Sequence, residues 1–111
     1  MAQDDVLAAL ERVAAALDEN NRQNRIAASR CKTIARQRAK GRTYREIVAG
    51  EERPLIVEML TGNLDRLLAA GAELRRAQAR ALHDEGATME EIAKLFGVTR
   101  QRISALLRQD R

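Results

Sequence analysis

The chain has 111 residues, enough for one compact domain or for a small domain with an extended helical arm. One Tyr, one Phe, no Trp and a single Pro in an Ala-, Leu-, Arg- and Glu-rich chain favour long helices over sheets, which draw on β-branched and aromatic residues. The lone cysteine, Cys31, excludes an intrachain disulfide, and no apolar run has the length of a bilayer span. The expectation is therefore an all-α, soluble protein of a reducing cytoplasm.

The formal charge of +4 conceals a strong segregation. Residues 1–19 carry one basic and five acidic side chains, whereas residues 20–45 carry nine basic and none acidic. Residues 46–73 are again acidic, with six acids against two bases, and residues 74–111 return to eight bases against five acids. A basic block set between acidic ones suits a polyanion-facing stretch flanked by solvated or partner-facing segments.

In chain order, Asp4 and Asp5 suit a helix N-terminus, where carboxylates accept from free backbone N–H groups and oppose the dipole. Val6, Leu10, Val13 and Leu17 follow at alternating spacings of four and three, a seam for a partner helix in the same chain or in a second copy. Continued in register, that seam meets Asn20, Asn24, Ala27, Cys31 and Ile34 and turns polar, so Asn20-Asn21 reads equally well as a break. Asn24–Lys40 then reads as a second, basic helix, with Arg25, Lys32 and Arg36 on one face and Gly41 as its end. Thr43 and Glu46 have the spacing of a capping box for a short helix through Ala49. The run from Gly50 to Pro54 reads as a turn whose proline opens the next helix. Leu55, Met59, Leu60, Leu64, Leu67 and Leu68 give that helix an apolar face, with Gly62 and Gly71 as points of bending or interruption. Gly41-Arg42-Thr43-Tyr44-Arg45-Glu46-Ile47 also echoes Gly86-Ala87-Thr88-Met89-Glu90-Glu91-Ile92, although the match fades after Ile47.

The sharpest pattern is C-terminal. Leu74, Ala77, Ala81 and Leu82 form an apolar helical face that Gly86 stops, and Thr88 starts a second helix with Glu90 and Glu91 in its first turn. Gly97-Val98 makes a turn, and Thr99 caps a third helix whose Ile103, Leu106 and Leu107 face inward. Ala93 falls where two helices cross closely, Gly97 where the chain needs a positive φ, and Ile92, Phe96, Val98, Ile103 and Leu106 where a miniature core must close.

The residues Gly86 to Arg108, GATMEEIAKLFGVTRQRISALLR, resemble the bacterial helix-turn-helix families, particularly resolvase-like and sigma-factor region-4-like modules. The resemblance covers about a third of the chain with the preceding helix included. It implies a DNA-binding domain over residues 72–111, preceded by a helical, coiled-coil-like oligomerisation region over residues 1–71 with its basic helix at 22–45. In such modules the third helix, here about 99–108, lies in the major groove of double-stranded DNA. Thr99, Arg100, Gln101 and Ser104 then become candidates for base contacts, and Thr88, Lys94, Arg102 and Arg108 for phosphate contacts. Arg25, Lys32 and Arg36 are candidate accessory DNA contacts, and Val6, Leu10, Val13 and Leu17 the candidate dimer seam. The implied protein is a homodimeric bacterial transcriptional regulator, nucleoid-associated when bound, with no cofactor. The alternatives are an adaptor that binds RNA polymerase, a sigma factor or another regulator, and an antitoxin-like autoregulator.

Asn24, Ala27, Ala28, Cys31 and Lys32 also match the groove-facing positions of a basic-leucine-zipper basic region. A zipper on the C-terminal side would place Gly41, Val48, Leu55 and Gly62 at its seam and be cut by Pro54, which argues against that reading. No catalytic constellation is evident. His83 has no companion ligands for a metal, Cys31 reads as an idle small residue, and Tyr44 and Phe96 read as core or half-buried side chains.

Overall fold

Asp4 starts the first helix through its side chain, whose Oδ1 accepts from the backbone N–H groups of Val6 and Leu7 at 3.0 and 3.1 Å. The computed structural model describes residues 4–108 as five helices: α1 (Asp5–Ala39), α2 (Tyr44–Ala49), α3 (Ile56–Asp84), α4 (Met89–Phe96) and α5 (Arg100–Arg108). The fold is all-α, and among the described residues no helix is long and apolar enough to cross a membrane. The chain forms two compact units, one of residues 16–67 and one joining residues 1–15 to residues 68–111. Both α1 and α3 contribute to each.

Two expected interruptions are absent. The break at Asn20-Asn21 and the separate helix at Asn24–Lys40 give way to one unbroken α1, which ends where Gly41 takes a φ of 96°. The physical reason is that Asn20 has a partner when buried: its Nδ2 donates to the Asn63 carbonyl at 2.9 Å, and its Oδ1 accepts from Arg66. A polar residue so satisfied need not leave the helix to find water. Helix α3 likewise runs straight through Gly62 and Gly71, neither of which has a positive φ or a neighbour that a Cβ would touch.

In the unit of residues 16–67, α1 and α3 run antiparallel. Asn63 Nδ2 donates to Asn24 Oδ1 at 2.7 Å, and further along Arg30 donates to the carbonyls of Glu52 and Pro54 at 3.0 and 2.5 Å. Ala16, Asn20 and Ala27 of α1 and Met59 and Asn63 of α3 are buried, with Ile47 of α2. Pro54 does not open α3. The backbone N–H groups of Leu55 and Ile56 are instead held by the carboxylates of Glu58 and Glu51, each at 2.7 Å.

In the other unit, Arg12 pairs with Glu73 and Ala9 is fully buried. The inward line of α1 thus runs on small residues. Of the expected seam, Val6 and Val13 are half-buried, whereas Leu10 and Leu17 stay 44 and 47% exposed.

Candidate nucleic-acid interface

The C-terminal site is built on a core of five buried side chains, Ala79 of α3, Ile92 and Ala93 of α4, and Ile103 and Leu106 of α5. Leu82, Ala87, Met89, Phe96, Val98 and Leu107 pack round it. Fully burying Ile92 and Ile103 stabilises this arrangement by about 1.5–3 kcal/mol each. Ala79 is the one buried member outside the expected set. It occupies the crossing that Ala77 and Ala81, both only half-buried, were expected to share.

Each joint has an identifiable cause. Gly86 ends α3 with a φ of 102°, and the N–H of Ala87 bonds the Leu82 carbonyl at 3.0 Å. Thr88 caps α4 in a reciprocal box: its Oγ1 accepts from the Glu91 N–H at 3.1 Å, and Glu91 Oε1 accepts from the Thr88 N–H at 2.9 Å. Those bonds from Thr88, the backbone one foremost, hold the Glu91 carboxyl below the usual carboxylate range. Gly97 takes the left-handed conformation (φ 68°, ψ 35°), and Val98 N–H closes the turn on the Ala93 carbonyl at 3.0 Å. Thr99 Oγ1 then accepts from Arg102 N–H at 3.2 Å, starting α5. At the far end Arg80 of α3 donates to the Leu107 carbonyl at 2.7 Å, a tie that no spacing rule would reveal.

With Ile103 and Leu106 turned inward, the helical period places Gln101, Ala105 and Arg108 along the outward face of α5. Thr99, Arg100, Gln101, Arg102 and Arg108 are exposed and Ser104 half-buried. Arg100 leans towards α4, where its Nη1 lies 3.6 Å from Glu90 Oε1. Arg108 Nη1 donates to Ser104 Oγ at 2.7 Å. Thr88 and Lys94 are exposed on α4, but the cap of Thr88 is fully used by Glu91. Helix α5 has no acidic residue in its first turn, unlike α4 with Glu90 and Glu91. The positive end of its dipole is therefore left for an outside anion. Among the described residues, its outward face presents no large apolar side chain, whereas Leu95 of α4 is 69% exposed.

In the unit of residues 16–67, Arg25, Lys32 and Arg36 are exposed and share one stripe of α1, on the side away from the line that meets α3. Asn24 is engaged by Asn63 and Ala27 is buried, so two positions of the zipper-like set face protein. Tyr44, expected to be core or half-buried, is exposed, and the Arg38 guanidinium lies 4.3 Å from its ring centroid. Phe96 is half-buried beside Arg75. His83 and Cys31 are exposed. Comparison with protein-family models, with curated proteins and with solved structures finds no match to the chain.

Proposed function

We propose that the protein binds double-stranded DNA sequence-specifically through α5 and acts as a dimeric bacterial transcriptional regulator. The observation that carries this reading is a rigidly closed three-helix core, on Ile92, Ala93, Ile103 and Leu106, whose third helix turns a polar and basic face outward. Gln101 is suited to bidentate bonding with adenine and Arg100 with guanine, while the Thr99 methyl fits the thymine methyl. Arg102, Arg108 and the open N-terminus of α5 suit phosphates, as does Lys94. Two copies related by a two-fold axis would favour a palindromic site with half-sites one helical turn apart or a multiple of it.

Selection from a randomised duplex pool at near-physiological salt tests this. The expected result is enrichment of a paired motif, lost in an Arg100→Ala/Gln101→Ala double variant. Equal retention of all sequences, vanishing with modest added salt, would sink sequence-specific recognition and leave charge attraction alone.

The exposed Leu95 favours one second reading, docking of α4 on a protein such as RNA polymerase or a sigma factor, because a large apolar anchor suits a protein hot spot better than DNA. Co-purification that survives nuclease treatment and fails in Leu95→Ala would support it.

A further inference from the structure

Within residues 16–67, α3 leaves a second apolar face uncovered. Val57, Leu60, Leu64 and Leu67 recur at spacings of three and four, and their exposures run from 39 to 66%. This stripe lies roughly a third of a turn beyond the line of Met59 and Asn63 that meets α1. On α1 the residues a third of a turn beyond its own buried line are Leu17, Asn21, Ala28, Cys31 and Ala35, all exposed. Because the two helices are antiparallel, equal rotations in the N-to-C sense bring both stripes to the same side of the hairpin. One side therefore carries a continuous apolar and small-residue surface, set well apart from the core that Ala16, Ala27, Ile47 and Met59 fill.

We propose that this side of the α1–α3 hairpin is the surface on which a second copy of the chain docks, giving a four-helix arrangement in which α3 of each copy packs against α1 of the other. Two features select a second copy as the occupant. The first is charge. The outer border of the stripe on α3 carries Glu58 and Asp65, and that on α1 carries Arg25, Lys32 and Arg36, all exposed. A two-fold axis running along the hairpin sets the acidic border of each copy beside the basic border of the other. With Asn20 level with Asn63, the equal rise of two antiparallel helices brings Arg25 level with Glu58. An isologous interface needs this self-complementarity. The second is area. Burying the exposed parts of Leu17, Val57, Leu60, Leu64 and Leu67 removes on the order of 500 Å² per copy, and the small residues between them carry this towards the roughly 800 Å² per partner of a stable interface. Small residues at Ala28, Cys31 and Ala35 also let helices approach closely.

The surface is defined without reference to α5, so its test needs no DNA. Sedimentation equilibrium of the full chain at micromolar concentration is expected to show a dimer. Leu64→Glu, which alters an exposed side chain, is expected to give a monomer of unchanged helical content by circular dichroism. Arg25→Glu/Lys32→Glu is expected to raise the dimer dissociation constant at least tenfold at low salt, and the difference should shrink at high salt. A monomeric wild-type chain would overturn the proposal and leave the face to a different partner. A Leu64→Glu protein that stays dimeric would overturn it by placing the interface elsewhere. An unchanged dissociation constant in the charge variant would overturn the packing of α3 on the partner's α1.

Discussion

Glu91 and Thr88 show how much of the site depends on single side chains. The carboxylate holds the Thr88 N–H and the hydroxyl holds the Glu91 N–H, so α4 begins at one position only. Because the Glu91 carboxyl sits below its ordinary range in the folded protein, its contribution is complete above the ordinary carboxylate pKa and is lost as pH falls through the lowered value. Glu91→Ala should therefore melt at a lower temperature than wild type at pH 7, and the two should converge at acid pH. Melting curves taken across that range check this. Gly97 is the other critical residue. Its left-handed backbone makes Gly97→Ala cost about 1–2 kcal/mol, and Ile103→Ala, in a fully buried position, about 2–5 kcal/mol. Denaturant unfolding measures both.

At the scale of the helices, the Asn20–Asn63–Asn24 cluster decides how α1 and α3 meet in their shared unit. Asn63→Ala removes the side chain that bonds Asn24 and Arg66, and leaving such groups unmatched costs about 1–3 kcal/mol. Urea unfolding should show that loss, and an Asn20→Leu/Asn63→Leu pair should recover part of it. The same cluster explains what the sequence hides. Thr88, Gly97, Thr99 and the inward Ile92, Ile103 and Leu106 were legible because capping, a positive φ and a local helical period leave marks within a few residues. The echo between Gly41–Ile47 and Gly86–Ile92 was legible for the same reason, and both turns have a positive-φ glycine followed by a threonine–glutamate box. The unbroken α1 was not legible, since the partners of Asn20 lie more than forty residues away. The inward register of α1 was hidden too. Large Leu10 and Leu17 signal a buried seam by size, whereas the close-packed line falls on Ala9, Ala16 and Ala27.

For the whole molecule, charge and oligomeric state set the behaviour expected on DNA. If α5 supplies base contacts and Arg102, Arg108 and Lys94 supply phosphate contacts, the logarithm of affinity should fall linearly with the logarithm of salt concentration, each phosphate contact adding about 0.9 to the slope. The basic stripe of Arg25, Lys32 and Arg36 is separable from this. Its reversal should weaken the dimer without DNA, whereas changes on α5 should leave the dimer intact.

The most direct measurement is a salt-resolved binding titration of wild type, Gln101→Ala and Arg108→Ala on the selected duplex and on a scrambled duplex of equal length. Gln101→Ala should lose about 1–3 kcal/mol of discrimination with its salt slope unchanged, and Arg108→Ala should weaken both duplexes alike and lower the slope by about 1. Undiminished discrimination in Gln101→Ala, together with wild-type slopes in both variants, would contradict the assignment of α5 as the reading helix.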